Sequence, residues 1–379
     1  MGQDGGAQWP VAPATGLPEP PRPTIDALTG LRILAAVWVV LFHLRSTDVM
    51  PGLLPASERL AWFVGGGYVG VDLFFTLSGF VIAYNYLDGF QRLSGRAYVR
   101  FLYLRLARIY PLHLATLLAV LLLVVVARVI HVALSDESAF GVGSFVANVF
   151  LVHAWGGEET SWNYPAWSIS AEWFAYLLFP LIAVAFARFG VRTAARAAVG
   201  VLVTLALGLP LIDATADSEG IPLVRVSVEF LAGCFLFVLH RHSRRRGGLH
   251  AWLLPVAFLL VGVLTWWSDA RTMVVAPALV LVVWSASLAS GPVAAWLASR
   301  PMVFAGQVSF ALYMTHAIVL LVLKNLVPPE AFAGTPLVVR CSVLAGYCVV
   351  MAVTAVAAYL VVERPSQAWM RRRLARSAG

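Results

Sequence analysis

The chain has 379 residues, of which 60% are hydrophobic and 12% charged, with a formal net charge of +8 and a mean hydropathy of +0.82. Soluble domains carry about half apolar and about a quarter charged residues, so this balance excludes an ordinary soluble protein and points to a polytopic membrane protein. The arginines are scattered over short loops between apolar runs, which argues against a nucleic-acid partner.

Residues 1–24 are rich in Gly and Pro (Pro18, Pro20, Pro21, Pro23) and lack the apolar core of a signal peptide. They read as a disordered cytosolic leader. Apolar runs follow at 27–45, 66–86, 109–134, 167–187, 195–212, 222–240, 251–268, 272–290, 303–324 and 337–362. The pattern predicts an all-α fold of about ten transmembrane helices. A shorter apolar piece, 143–155, lies between Asp136, Glu137 and Glu158, Glu159, and reads as re-entrant or interfacial. Basic residues concentrate in alternate loops, which predicts that both termini are cytoplasmic. The expected organisation is a leader (1–24), one membrane domain (25–366) and a basic cytosolic tail (367–379). Cys234, Cys341 and Cys348 fall in apolar segments without C-x-x-C spacing, so neither a disulfide framework nor a metal site is expected.

Ionisable residues inside apolar spans are costly and mark candidate sites. Arg32 and His43 lie in the first span. Eleven steps of about 100° bring them to one helix face, roughly 16 Å apart. A neutral imidazole at that depth suits proton transfer or a structural hydrogen bond. Asp72, in the second span, enters at a similar depth and is a candidate to orient His43, or to pair with an arginine such as Arg45. Gly65 to Gly70 match G-x-G-x-x-G, but no strand precedes them; helix packing explains them better than a dinucleotide site. Arg92, Arg96, Arg100, Arg105 and Arg108 recur at helical spacing and predict an amphipathic surface helix. Within it, Arg105 and Arg108 stand closest to the next span and suit a phosphorylated donor such as coenzyme A. Glu172 lies one to two turns into the fourth span and is a second candidate partner for His43. Tyr313 and His316, one turn apart in the ninth span, are candidate cavity-lining or acceptor-contacting groups together with Ser78. No nucleophile motif such as G-x-S-x-G is present.

These segments resemble the acyltransferase 3 family of integral membrane acyltransferases. The matching pieces run Asp26 to Arg32 and on to His43, Gly70 to Phe75 with Ser78-Gly79-Phe80, Arg105 to Pro111, Trp167 to Glu172, Ser309 to His316, and the closing Glu363-Arg364-Pro365. The resemblance implies that Arg32 and His43 are the R-x10-H pair and that Arg105 and Arg108 are the R-x-x-R pair. It further implies acyl coenzyme A as a co-substrate, with no permanently bound cofactor. Family members with an esterase-like extension carry a long C-terminal segment; this chain ends 14 residues after Pro365, so a stand-alone acyltransferase is expected. The expected reaction moves an acyl group from acyl coenzyme A to a hydroxyl of a sugar or sugar-bearing acceptor, either a cell-surface glycan or a macrolide-type metabolite. His43 would be the general base, Asp72 or Glu172 its partner, and Arg32, Arg105 and Arg108 the donor-binding groups. The alternative is a transporter or flippase of a lipid-linked glycan.

Overall fold

A computed structural model of the chain describes residues 23–131, 138–156, 161–213, 222–244, 252–268, 272–288 and 290–376. The leader up to residue 22, and the acidic residues Asp136, Glu137, Glu158 and Glu159, lie outside these. Every regular element among the described residues is helical. In chain order these are α1 (Asp26–Ser46), the short α2 (Val49–Leu53) and α3 (Ala61–Gly65), α4 (Gly70–Tyr86), α5 (Gly95–Val129), α6 (Val142–Val149) and α7 (Trp167–Asp213). They continue with α8 (Pro222–Arg244), α9 (Leu253–Trp267), α10 (Thr272–Leu288), the short α11 (Pro292–Leu297), α12 (Arg300–Leu326), α13 (Leu337–Ala358) and α14 (Arg364–Arg376).

Seven described helical segments are long and apolar enough to cross a membrane: Asp26–Ser46, Pro55–Gly89, Gly95–Val129, Tyr164–Arg188, Pro222–Arg241, Arg300–Leu326 and Leu337–Arg376. Two shorter apolar helices, Leu253–Trp267 and Val274–Leu288, fall where the sequence predicts two further spans. The remaining predicted span, 195–212, lies within α7, where it is helical but its side chains are mostly outside the description. The predicted spans 167–187 and 195–212 thus belong to one 47-residue helix, with no turn to separate them. The segment expected to be re-entrant or interfacial contains the eight-residue α6, too short to cross a bilayer.

Helix α5 differs from its expectation in a way that matters for the site. The arginine-rich segment is not a separate surface helix. It continues into the following span as one 35-residue helix that passes through Pro111. At about 1.5 Å per residue the helix is roughly 50 Å long and exceeds a hydrocarbon core of about 30 Å. Arg105 and Arg108 therefore reach into the protein, while Arg96 and Arg100 stay exposed.

Close backbone approaches position α1 centrally. A Cβ on Gly306 of α12 would overlap the Thr29 carbonyl of α1, and one on Gly67 would overlap the carbonyl of Trp38. Lipid tails supply no hydrophobic driving force between helices, so small residues that let backbones meet are what hold such contacts. The Gly65 to Gly70 run is accordingly a packing element against α1. A large core lies around α4, with Phe80, Phe101, Phe179, Phe230 and Phe237 fully buried. Leu122, Val125, Val126 and Val129 on α5, and Val349, Val350 and Val353 on α13, face outward, as lipid-facing residues do.

Candidate active site

His43 sits on α1 opposite His316 of α12, with ring centroids 4.9 Å apart. Hydrogen-bond chemistry determines both tautomers. The Val39 carbonyl lies 2.9 Å from His43 Nδ1, and the Tyr313 carbonyl lies 2.7 Å from His316 Nδ1. A carbonyl only accepts, so each Nδ1 carries the hydrogen. The bare Nε2 of His316 then faces His43 Nδ1–H at 3.2 Å. His43 Nε2 is left as a lone pair, buried and without a hydrogen-bond partner among the described residues. The rings of Phe42 and Tyr164 meet the imidazole edge-on, with centroids at 5.1 and 5.5 Å.

Neither carboxylate expected beside His43 is found there. Asp72 receives a bidentate pair from Arg225, Nε to Oδ1 at 2.5 Å and Nη2 to Oδ2 at 2.7 Å. Tyr68 and Trp167 flank the guanidinium at 6.0 and 5.7 Å. A planar fork satisfies a buried carboxylate far better than one imidazole N–H does, which is why this pairing wins. Arg45, the alternative partner for Asp72, pairs instead with Glu58 at 2.9 Å. Glu172 accepts the hydroxyl of Tyr176 at 2.6 Å and faces a different space.

That space is a cavity of about 100 Å³ between α1, α4, α5, α7 and α12. Arg32, Arg105, Arg108, Ser78, Glu172 and Tyr313 all line it. Arg105 donates to the Tyr86 hydroxyl at 2.7 Å. Arg108 is ion-paired with the buried Glu363 and lies 5.2 Å from the Phe310 ring. Arg32 makes no ion pair among the described residues. Three guanidinium groups against Glu172, with Glu363 behind Arg108, leave the lining net cationic and suited to an anion. Ser78 contributes its hydroxyl, 3.3 Å from that of Tyr176.

His43 and His316 do not line this cavity. Tyr313 connects the two, since it borders the cavity while its ring lies 5.9 Å from that of His316. The arrangement therefore has a cationic chamber on one side of Tyr313 and a proton acceptor on the other.

Arg225, Glu363, Ser168, Tyr164 and Tyr176 had no assigned role in the sequence reading. Tyr176 was accessible to it, standing four residues after Glu172 on one helix face. Glu363 lies in the closing motif, where a π-helical turn, Tyr359–Glu363, directs it at Arg108; such turns recur at functional sites. A second buried imidazole pair also emerges, His113 on α5 and His153 in the loop after α6, with centroids 6.0 Å apart and planes within 3°. Burial, and secondarily the neighbouring His113, pushes His153 down to about 4.

Comparison with known proteins places the chain in a family. The family described as "Acyltransferase domain" matches residues 25–361. The chain is 30% identical to "Acyltransferase MdmB" of Streptomyces mycarofaciens over 328 residues, covering 79% of this chain and 80% of that protein. It is 24% identical to "O-acetyltransferase OatA" of Staphylococcus aureus over 323 residues, covering 77% of this chain but 50% of that protein. It is 26% identical to "Peptidoglycan O-acetyltransferase OatA" of Listeria monocytogenes over 177 residues, covering 44% of this chain and 25% of that protein. No solved structure matches the chain. With most of its length matched, and with apolar helices able to cross a bilayer several times, the chain belongs to the acyltransferase domain family and is a multi-pass membrane O-acyltransferase.

Proposed function

We propose that this enzyme transfers an acyl group from acyl coenzyme A to a hydroxyl of a sugar or sugar-bearing acceptor, with His43 as the general base. The observation that carries this reading is the bare, buried Nε2 of His43, whose opposite nitrogen is held by Val39 and His316. An imidazole so held keeps a lone pair available for one incoming O–H. His316, rather than Asp72 or Glu172, is the positioning residue.

Arg32, Arg105 and Arg108 form the donor side of the site. Their net cationic chamber supports binding of the donor phosphates from the cytoplasmic face, with both chain termini on that face. The thioester then extends past Arg32 toward Tyr313. The acceptor hydroxyl reaches His43 Nε2, which takes its proton as the oxygen attacks the thioester carbon. The leaving thiolate recovers that proton, so acyl transfer is proton-neutral overall. Relatives whose names specify O-acetylation and, in one case, peptidoglycan support the cell-surface glycan as acceptor; a macrolide-type glycoside offers the same hydroxyl chemistry.

The test is His43→Ala, assayed in proteoliposomes with labelled acetyl coenzyme A against peptidoglycan fragments and a glycosylated macrolide. Loss of about 10²- to 10⁴-fold in kcat is expected, the usual contribution of a general base. Wild-type kcat in a folded His43→Ala protein would overturn the assignment.

A further inference from the structure

A general base accounts for only part of the barrier in acyl transfer. Negative charge also develops on the thioester carbonyl oxygen, and its stabilisation is commonly the larger contribution. The donors for that oxygen must be buried, border the donor chamber and lie toward His43.

Two hydroxyls meet these conditions. Ser168, in the first turn of α7, and Tyr313 of α12 both line the cavity, and they are 4% and 5% exposed. Their oxygens are 2.8 Å apart, and each lies 3.0 Å from the same carbonyl oxygen, that of Pro165. The geometry thus has three close contacts among three oxygens but only two hydroxyl hydrogens to fill them. Each hydroxyl has two possible acceptors in the cluster, so the Tyr313 O–H can turn into the cavity while Ser168 still donates within the cluster. Tyr176, the other phenol lining the cavity among the described residues, is differently placed, since its hydrogen is held by the Glu172 carboxylate at 2.6 Å. Charge assistance makes that bond costly to break, whereas Tyr313 is released from a neutral carbonyl.

We propose that Tyr313 and Ser168 are the oxyanion site of the transfer reaction, an inference that rests on the acyl-thioester reading above. Tyr313 donates its O–H to the thioester carbonyl oxygen, and Ser168 donates to the Tyr313 oxygen, polarising the phenol. As the acceptor oxygen bonds to the carbonyl carbon, the π electron pair moves onto the carbonyl oxygen, and the hydroxyl proton passes to His43 Nε2. Collapse of the tetrahedral intermediate re-forms the carbonyl and breaks the C–S bond. The sulfur leaves with the bonding pair and takes the proton back from His43. Tyr313 hydrogen-bonds the oxyanion throughout and keeps its own proton.

Two measurements on the full-length protein in nanodiscs test this. In isotope-edited infrared spectra of bound [1-¹³C]acetyl coenzyme A, the thioester carbonyl band should lie below its position in buffer, and Tyr313→Phe should return it toward that position. In turnover with the acceptor that the wild type uses, Tyr313→Phe should lower kcat about 10²- to 10³-fold with both KM values within about threefold of wild type. Ser168→Ala should lower kcat less, and the double variant should lose no more than Tyr313→Phe alone, because serine acts through tyrosine. An unshifted wild-type band, a band insensitive to Tyr313→Phe, or a Tyr313→Phe kcat within about threefold of wild type at an unchanged unfolding temperature would overturn the proposal. A wild type that fails to bind acetyl coenzyme A sinks the donor assignment instead, taking this inference with it. An active His43→Ala sinks the base assignment and leaves the Tyr313 measurements to stand or fall separately.

Discussion

At the scale of single residues, the buried carboxylates show how a plausible catalytic role gives way to a stronger physical one. Asp72 is 1% exposed, and ionised it needs a cation with several aligned donors. Arg225 provides them from α8, and the pair ties that helix to α4. Asp72→Ala should therefore act on folding more than on chemistry, because it takes the bidentate partner from a guanidinium within the bundle. The expected cost is about 3–5 kcal/mol, the range for removing one partner of a buried ion pair, read as a lower unfolding temperature in detergent. Replacing Asp72 and Arg225 together by apolar residues of similar volume should recover most of that loss. A direct orienting role for Asp72 predicts the opposite: a stable Asp72→Asn protein with catalysis reduced as far as in His43→Ala.

At the scale of elements, the catalytic geometry depends on how closely α1 and α12 approach. His43 and His316 meet at 3.2 Å because Gly306, lower on α12, admits the Thr29 carbonyl of α1. Gly306→Ala should push the helices apart at that contact, at a cost of about 1–3 kcal/mol, as overpacking generally does. It should also lengthen the His43–His316 contact. Thermal unfolding and kcat should fall together, whereas Gly346→Ala on α13, where an added Cβ meets nothing within 4 Å, should change neither. Much at this scale was legible from sequence. The spans at Asp26–Ser46, Arg300–Leu326 and Pro222–Arg241 follow from apolar length, and the glycines before Asp72 were recognisable as packing rather than nucleotide-binding. The continuity of α5 was not legible, because the run of arginines reads as a surface signal until another helix supplies Glu363 to meet one of them.

At the scale of the whole molecule, Arg32, Arg105 and Arg108 come from two helices far apart in sequence and line one chamber. The sequence made their depth estimable and their chemistry recognisable; their convergence required the tertiary packing. The same limit explains why depth suggested Asp72 and Glu172 as partners of His43. Depth constrains one coordinate, while contact depends on which helix faces which, and among the described residues α12 is the one helix besides α1 itself that presents a group to His43 Nδ1. If the chamber binds the donor phosphates, its arginines must act on donor binding more than on the chemical step. Arg108 is a poor test, since removing it leaves Glu363 buried without its ion-pair partner. Arg32 and Arg105 are better ones: among the described residues Arg32 has no ion pair to lose, and Arg105 gives up a bond to the Tyr86 hydroxyl. Each of Arg32→Ala and Arg105→Ala should raise the KM for acyl coenzyme A about 10- to 100-fold, the worth of a hydrogen bond to a charged group, and change kcat much less. The acceptor KM should stay unchanged, because the acceptor meets His43 on the other side of Tyr313. Initial rates over a grid of donor and acceptor concentrations measure both constants. An acceptor KM that rises with the donor KM would mean that both substrates share the chamber, and the two-sided arrangement would have to be abandoned.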